Sequence, residues 1–289
     1  MKYKNTILLN GGTTEFGEAL AKRLVKDGNY LILISDDAEE SFAIQKEIYG
    51  LYGYKIDLIL TDYTSQLEIK EVAESIENKY PQLNIIINNY STTSVDKVIT
   101  GDDIELIFQS NYVSRFLLTN LLIPVLANNK NAKILNVVDK IDEDLELNFD
   151  FIENNGGIEA SSEAEEQAIL ADIMYIQSLS EKLINTNVTA NSIYPGKIEK
   201  EIYTEDDSER SFKLLFKKIW NKINPFIALG PDKSAHYVQQ LINNSAGKTG
   251  KFYIKTKPAN IPDFAAKQKN REKLWELSNM LTESTFDIF

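Results

Sequence analysis

Residues 10–17 read NGGTTEFG, after the apolar run Thr6–Leu9 and before EALAKRLVKDG, an amphipathic helical pattern. A strand, a glycine-containing turn and a helix start form a phosphate-binding arrangement. Glycines admit a close backbone approach, and the free N–H groups of the helix end attract anions. Gly11 and Gly17 fit the outer glycine positions, with Thr13 and Phe16 in the same turn. Glu15 stands where a middle glycine is wanted. Its Cβ limits that approach, and its carboxylate repels a dianion. The stretch therefore reads as a dinucleotide loop by ancestry whose present chemistry opposes tight binding. Asp36 and Asp37 end the second apolar run, where a carboxylate accepts from a ribose 2′-OH, and Glu39 and Glu40 lie nearby. If a dinucleotide is held at all, these acids favour NAD(H) over NADP(H).

Composition narrows the chemistry. The chain has 289 residues, 43% hydrophobic content and a net charge of −12, which suits one large core and argues against nucleic acid or anionic membranes as partners. There is no cysteine and a single histidine, His236, which is read as structural. Disulfides, histidine-based catalysis and a metal site thus have almost no material. No apolar run is long enough for a signal peptide or a membrane span, so a cytoplasmic location is expected.

The elements that would position these residues alternate. Apolar runs at Thr6–Leu9, Tyr30–Ser35, Lys55–Thr61, Asn84–Asn88, Ala132–Val138, Asn187–Tyr194 and Lys251–Ile254 predict about seven strands. Helical patterns at Phe16–Lys26, Ala38–Tyr49, Gln66–Lys79, Asp103–Leu126, Ala164–Ile184 and Lys233–Asn243 lie between them. This is an α/β, Rossmann-like doubly wound parallel sheet with helices on both faces. Lys140–Glu166 reads as a long acidic loop. We expect one domain over 1–289, with a helical lid-like segment at about 204–229 and a C-terminal helix at about 265–283. In such a sheet, ligands sit at the carboxyl ends of the strands.

The residues at those ends resemble the short-chain dehydrogenase/reductase family, retinol-dehydrogenase-like branch, nearly end to end. NGGTTEFGEALAKRL is similar to its first glycine turn, LTDYTS to the turn after the third strand with Asp62, and IINNYS to the turn after the fourth with Asn89. IELIFQSNYVSRFLLTNLL resembles the interface helix carrying an active-site Asn, here Asn111. AKILNVVD resembles the strand ending in the catalytic Ser, NVTANSIYPGKIEKEI the sixth strand with its Pro195–Gly196 turn, and KLWELSNMLTE the closing helix.

The resemblance implies a Tyr that moves a proton, a Lys four residues later that lowers its pKa, and a Ser that orients the substrate oxygen. Here those positions hold Glu165, Ile169 and Asp139; Asn111 alone remains. The one Tyr with Lys at +4, Tyr253–Lys257, falls on the predicted last strand, where the two share a face but not a helix. Tyr90 and Ser91 replace the small Ala-Gly pair lining the cofactor cleft, and Lys200 stands where the family often has a Thr. Asp62 and Asn89 fit cofactor binding or simple capping of turns.

Three readings follow. In the first, the old cleft serves a non-redox role: ligand binding, partner interaction, or acid/base chemistry by Asp139 and Glu165, whose alternative is a solvated acidic face. In the second, the chain is a divergent NAD(H)-dependent oxidoreductase on an apolar alcohol or ketone, with Tyr194, or less favourably placed Tyr175, as proton donor. In the third it is a structural or regulatory partner whose cleft is filled. The cofactor is accordingly none, or NAD(H). The partner is an apolar small molecule or a protein. Arg210–Phe226, with Phe212, Leu215, Phe216, Ile219, Trp220 and Ile223 at helical spacing among lysines, would form a lid, a docking helix, or a helix packed on its own domain. The resemblance also implies a homodimer through the helices at Asp103–Leu126 and Ala164–Ile184.

Overall fold

The expected apolar runs all form strands, and their alternation feeds two cores. In the computed structural model, which describes residues 3–94, 96–154, 161–196, 201–202, 230–245 and 247–286, β1 (Thr6–Asn10) sends Leu8 to one face and Ile7 and Leu9 to the other. β2 (Tyr30–Ser35), β3 (Asp57–Leu60) and β4 (Ile85–Asn88) follow. After a two-residue β5 (Thr92–Thr93) come β6 (Ala132–Val137) and β7 (Val188–Tyr194). Among the described residues β8 (Glu201–Ile202) pairs only with β5, and β9 (Lys251–Ile254) and β10 (Lys257–Ala259) close the order. The main sheet has eight strands, β10-β9-β7-β6-β4-β1-β2-β3, parallel except for β10.

β10 is the strand beyond the expected seven. Lys255 takes a left-handed conformation (φ 59°) and turns the chain back, so Tyr253 pairs with Pro258 and Lys257 with Ile254. Tyr253 and Lys257 therefore lie on two different strands, not on one face of a single strand as their spacing suggested.

One face is covered by α1 (Glu15–Lys26), α2 (Ala38–Tyr52) and α8 (Pro231–Asn244). The other carries α3 (Gln66–Lys79), α5 (Ser114–Ala127), α7 (Ser161–Lys182) and α10 (Gln268–Leu281). The expected helix at Asp103–Leu126 starts later, at Leu106, and changes its turn over Gln109–Val113. Asp103 has φ 64°, and Glu105 caps a short α4 (Leu106–Phe108); a π-turn (Gln109–Val113) then carries Asn111 into α5. The expected C-terminal helix is two pieces, α9 (Asp263–Ala266) and α10, separated by the extended backbone of Lys267. The acidic stretch after β6 holds only a short α6 (Phe149–Asn154) before residue 155. Lys200 and the lid-like segment 204–229 lie outside the described residues. Among the described residues, no helix is long and apolar enough to cross a membrane.

The long helices do not present bare apolar faces. α5 is buried from Ser114 to Leu126 except at Leu121 and Pro124, and α10 lies on α7. Trp275 packs 5.4 Å from Phe116 and stacks 5.9 Å from Tyr175, with the Lys182 ammonium over its ring. The Tyr112 and Ser278 hydroxyls meet at 2.6 Å. Truncating such a side chain removes both transfer energy and packing, so Trp275→Ala should lower unfolding free energy by about 3–5 kcal/mol in urea titration. A loss under 1 kcal/mol would mean that α10 is a loose appendage.

Candidate functional site

The glycine turn keeps its shape. Gly11 has φ 82°, and a Cβ there would lie 2.3 Å from the Tyr90 backbone; a Cβ on Gly17 would lie 2.6 Å from Gly12 Cα. The helix end is satisfied by the chain itself. Thr14 accepts from Gly17 N at 3.1 Å, and Glu15 and Glu18 place carboxylates in the first turn of α1, where an anion is favoured. Thr13 Oγ1 accepts from Ser35 Oγ at 3.4 Å, and the Phe16 ring is buried in the core.

The cleft beyond the turn is occupied by Tyr90. Its ring stacks on Tyr63 with centroids 3.5 Å apart, and its hydroxyl donates to Asp36 Oδ2 at 2.9 Å. Tyr90 is 4% exposed. The side chain thus runs from the end of β4 to the end of β2, the crevice a dinucleotide's adenosine half would enter. It also engages the carboxylate that would accept from the ribose. With Glu15 at the pyrophosphate position, these residues do not fit a bound dinucleotide. Asp62 caps its own turn, accepting from Thr64 N at 2.8 Å and Thr64 Oγ1 at 2.7 Å. Asn89 Nδ2 donates to Gly11 O at 2.6 Å. Pro195 and Gly196 (φ 116°) are buried just past β7.

Beneath the cleft runs a buried polar chain that links its two ends. Tyr63 donates to Asn10 Oδ1 at 2.5 Å, Asn10 to Asn88 Oδ1 at 3.2 Å, and Asn88 to Asn136 Oδ1 at 2.9 Å. Asn136 donates to Asp172 Oδ1 at 3.1 Å, and the other Asp172 oxygen pairs with Arg115. Arg115 in turn donates to the carbonyls of Tyr90 and Val137. The three asparagines are register partners at the ends of β1, β4 and β6. Every dipole points toward Asp172, an arrangement in which each bond polarises the next. Burial pushes the Asp172 carboxyl up to about 6, against the pull of Arg115 and Asn136.

Arg115 and Asp172 form the inner wall of a small cavity that Asn111, Asp139, Glu165 and Ile169 also line. The structure thus brings Asn111, Asp139 and Glu165 together around one space. That space is ≈ 20 Å³, room for about one water molecule. Asn111 is turned to the backbone, with Oδ1 accepting from Thr92 N at 2.8 Å and Nδ2 donating to Thr92 O at 2.9 Å. Tyr194 stands beside Asp139; burial and then that carboxylate push its phenol pKa up. Tyr175 is elsewhere, fully buried among Tyr112, Phe116 and Trp275, and burial holds its pKa far above the ordinary value.

Sequence reasoning missed Arg115, Asp172, Tyr63 and Glu105. Glu105 is 1% exposed and accepts from Phe108 N at 2.8 Å; burial, and further the Glu165 charge, raise its pKa. A signal existed for the ion pair: Arg115 and Asp172 are single charges inside apolar helical stretches, SRFLLTNLL and AILADIMYI. Such residues are seldom buried without a partner.

The family model for short chain dehydrogenase matches residues 5–144. Human retinol dehydrogenase 14 is 24% identical, with 97% of this chain and 87% of that protein covered. Mouse retinol dehydrogenase 13 is 25% identical, covering 96% and 83%. The crystal structure of an uncharacterized Mycobacterium paratuberculosis protein superposes with a TM-score of 0.74 at 18% identity, covering 98% of this chain and 95% of that one. With the glycine turn, the sheet order and the closing helix in place, the chain is similar to the short-chain dehydrogenase/reductase family and, within it, to retinol dehydrogenases.

Proposed function

We propose that this protein is a short-chain-dehydrogenase scaffold without the standard hydride transfer, a pseudoenzyme whose own side chains fill the dinucleotide cleft. The observation that carries this reading is the Tyr90 ring stacked on Tyr63 with its hydroxyl on Asp36. Glu165, Ile169 and Asp139 at the expected Tyr, Lys and Ser positions support it, since each loss removes several kcal/mol of transition-state stabilisation. Among the described residues the space between Asp139, Glu165 and Asn111 is only ≈ 20 Å³, which supports interaction with a protein partner over acid/base chemistry by Asp139 and Glu165. The lack of cysteine fits a reducing compartment such as the cytoplasm.

The alternative is a divergent oxidoreductase with Tyr194 as proton donor. A general acid or base works best with a pKa near the operating pH. Burial and Asp139 move Tyr194 the other way. If a dinucleotide is nevertheless held, the acids at Asp36, Asp37, Glu39 and Glu40 favour NAD(H).

Titration calorimetry of the purified chain with NAD⁺, NADH, NADP⁺ and NADPH tests the proposal. No saturable heat up to millimolar nucleotide is expected from any of the four. Binding near micromolar affinity would overturn the filled-cleft reading and make Tyr194→Phe the next variant.

A further inference from the structure

The opposite edge of the sheet is open where the carboxyl edge is filled. A cavity of ≈ 340 Å³ lies at the amino ends of β1, β2 and β4, within the size range of small-molecule sites. Its wall includes Tyr3, Lys4, Tyr30, Gln82, Asn129 and Lys130.

The floor is rigid. Thr6 N donates to Asn84 Oδ1 at 2.9 Å, Asn84 Nδ2 to Asn5 Oδ1 at 3.0 Å, and Asn5 Nδ2 to Asn29 Oδ1 at 2.8 Å. Asn129 Nδ2 donates to Pro81 O at 2.8 Å and Leu83 O at 3.1 Å. These amides hold one another and the strand ends, so the cavity does not collapse. The aromatic wall is fixed too: Tyr30 donates to Asp57 at 2.8 Å, and the Tyr3 ring lies 5.1 Å from the Tyr30 ring.

Two cations stand over this floor. Lys4 and Lys130 both line the cavity and are exposed, and neither ammonium meets a carboxylate among the described residues. In a chain with net charge −12, two uncompensated ammonium groups beside one cavity are a local reversal of the field. Lysine serves as a point-charge partner for phosphate, and a tyrosine face takes a planar ring.

We propose that the amino edge is a binding site for a phosphate monoester carrying a planar ring, the nucleoside monophosphate class. Lys4 and Lys130 hold the phosphate, Tyr3 carries the ring, and the Gln82 amide with Asn129 Oδ1 reads polar groups between them. The site is independent of the filled cleft, because its residues are at the other ends of the strands.

Calorimetry of the whole chain at low ionic strength tests it, with adenosine 5′-monophosphate, ribose 5-phosphate and inorganic phosphate as probes. The expected result is one saturable site for adenosine 5′-monophosphate, with ribose 5-phosphate and phosphate at least tenfold weaker. Lys4→Gln and Lys130→Gln should each weaken it about tenfold, and Tyr3→Ala similarly. These positions are exposed, and unchanged circular dichroism would establish that the variants fold. Absence of saturable heat overturns the proposal. So does an affinity unchanged in the double lysine variant, which would put the nucleotide elsewhere. Equal binding of ribose 5-phosphate would remove the ring from the assignment.

Discussion

Asp172→Ala should destabilise this protein by about 3–5 kcal/mol, the usual result of leaving one member of a buried ion pair without its partner. Arg115 is 4% exposed, so its guanidinium would be left largely desolvated. Replacing both residues by apolar ones, as in Arg115→Met with Asp172→Leu, should recover most of that loss, because the pair's desolvation cost disappears with it. The pair also sets a pH dependence. Folding raises Asp172 from its ordinary 3.8 to about 6, so the folded chain binds this proton more tightly than the unfolded chain does. The stability from this group is therefore complete below about pH 4 and is lost as pH rises through about 6, to the extent of roughly 3 kcal/mol. Asp57, held low by the Tyr80 and Tyr30 hydroxyls and Lys79 against its burial, contributes with the opposite sign. The useful measurement is thus a difference: unfolding free energy of wild type minus that of Asp172→Asn, from pH 4 to 7. It should fall across that window. A flat difference would mean that Arg115 keeps Asp172 ionised throughout and that the pair is unstrained.

The architecture was legible because each strand in this fold is a continuous apolar run and each crossover a helix with its own period. What escaped were features set by one backbone conformation. β10 depends on a left-handed Lys255, and the late start of the Asp103–Leu126 helix, at Leu106, follows a left-handed Asp103. A hydrophobic period shows neither. The site was half legible. Alignment brought Asp139, Glu165 and Asn111 to one cavity, yet the strongest groups there, Arg115 and Asp172, are invisible to motif reading because they sit where the family resemblance supplies no role. The asparagine chain had a visible trace: TILLN, IIIN and AKILN each carry the same residue at or next to the end of a strand. The meaning of that trace appears only when register makes Asn10, Asn88 and Asn136 neighbours. That α10 lies on α7 was not legible either, since sequence does not show which helices pack together.

Tyr90→Ala should exchange stability for nucleotide affinity. The ring is buried, stacked on Tyr63 and tied to Asp36, so its removal should lower stability by about 3–5 kcal/mol, in line with other buried aromatic truncations. The same change empties the crevice between the ends of β4 and β2 and frees the Asp36 carboxylate to accept from a ribose. Glu15 still opposes the pyrophosphate, so Tyr90→Ala alone should bind NADH weakly, and Glu15→Gly with Tyr90→Ala at least tenfold more tightly. Tyr90→Phe is the control that separates volume from hydrogen bonding. It keeps the ring in the crevice while releasing Asp36, and it should bind nothing. Hydride transfer should not return in any of the three variants, because Glu165, Ile169 and Asp139 still occupy the proton-transfer positions. Calorimetry for binding and NADH oxidation with an apolar ketone for turnover would read both halves. A folded Glu15→Gly, Tyr90→Ala variant that gives no heat would place the barrier to the dinucleotide somewhere other than Tyr90. If Tyr90→Phe bound as well as Tyr90→Ala, the hydroxyl's bond to Asp36, not the ring's volume, would be what closes the cleft.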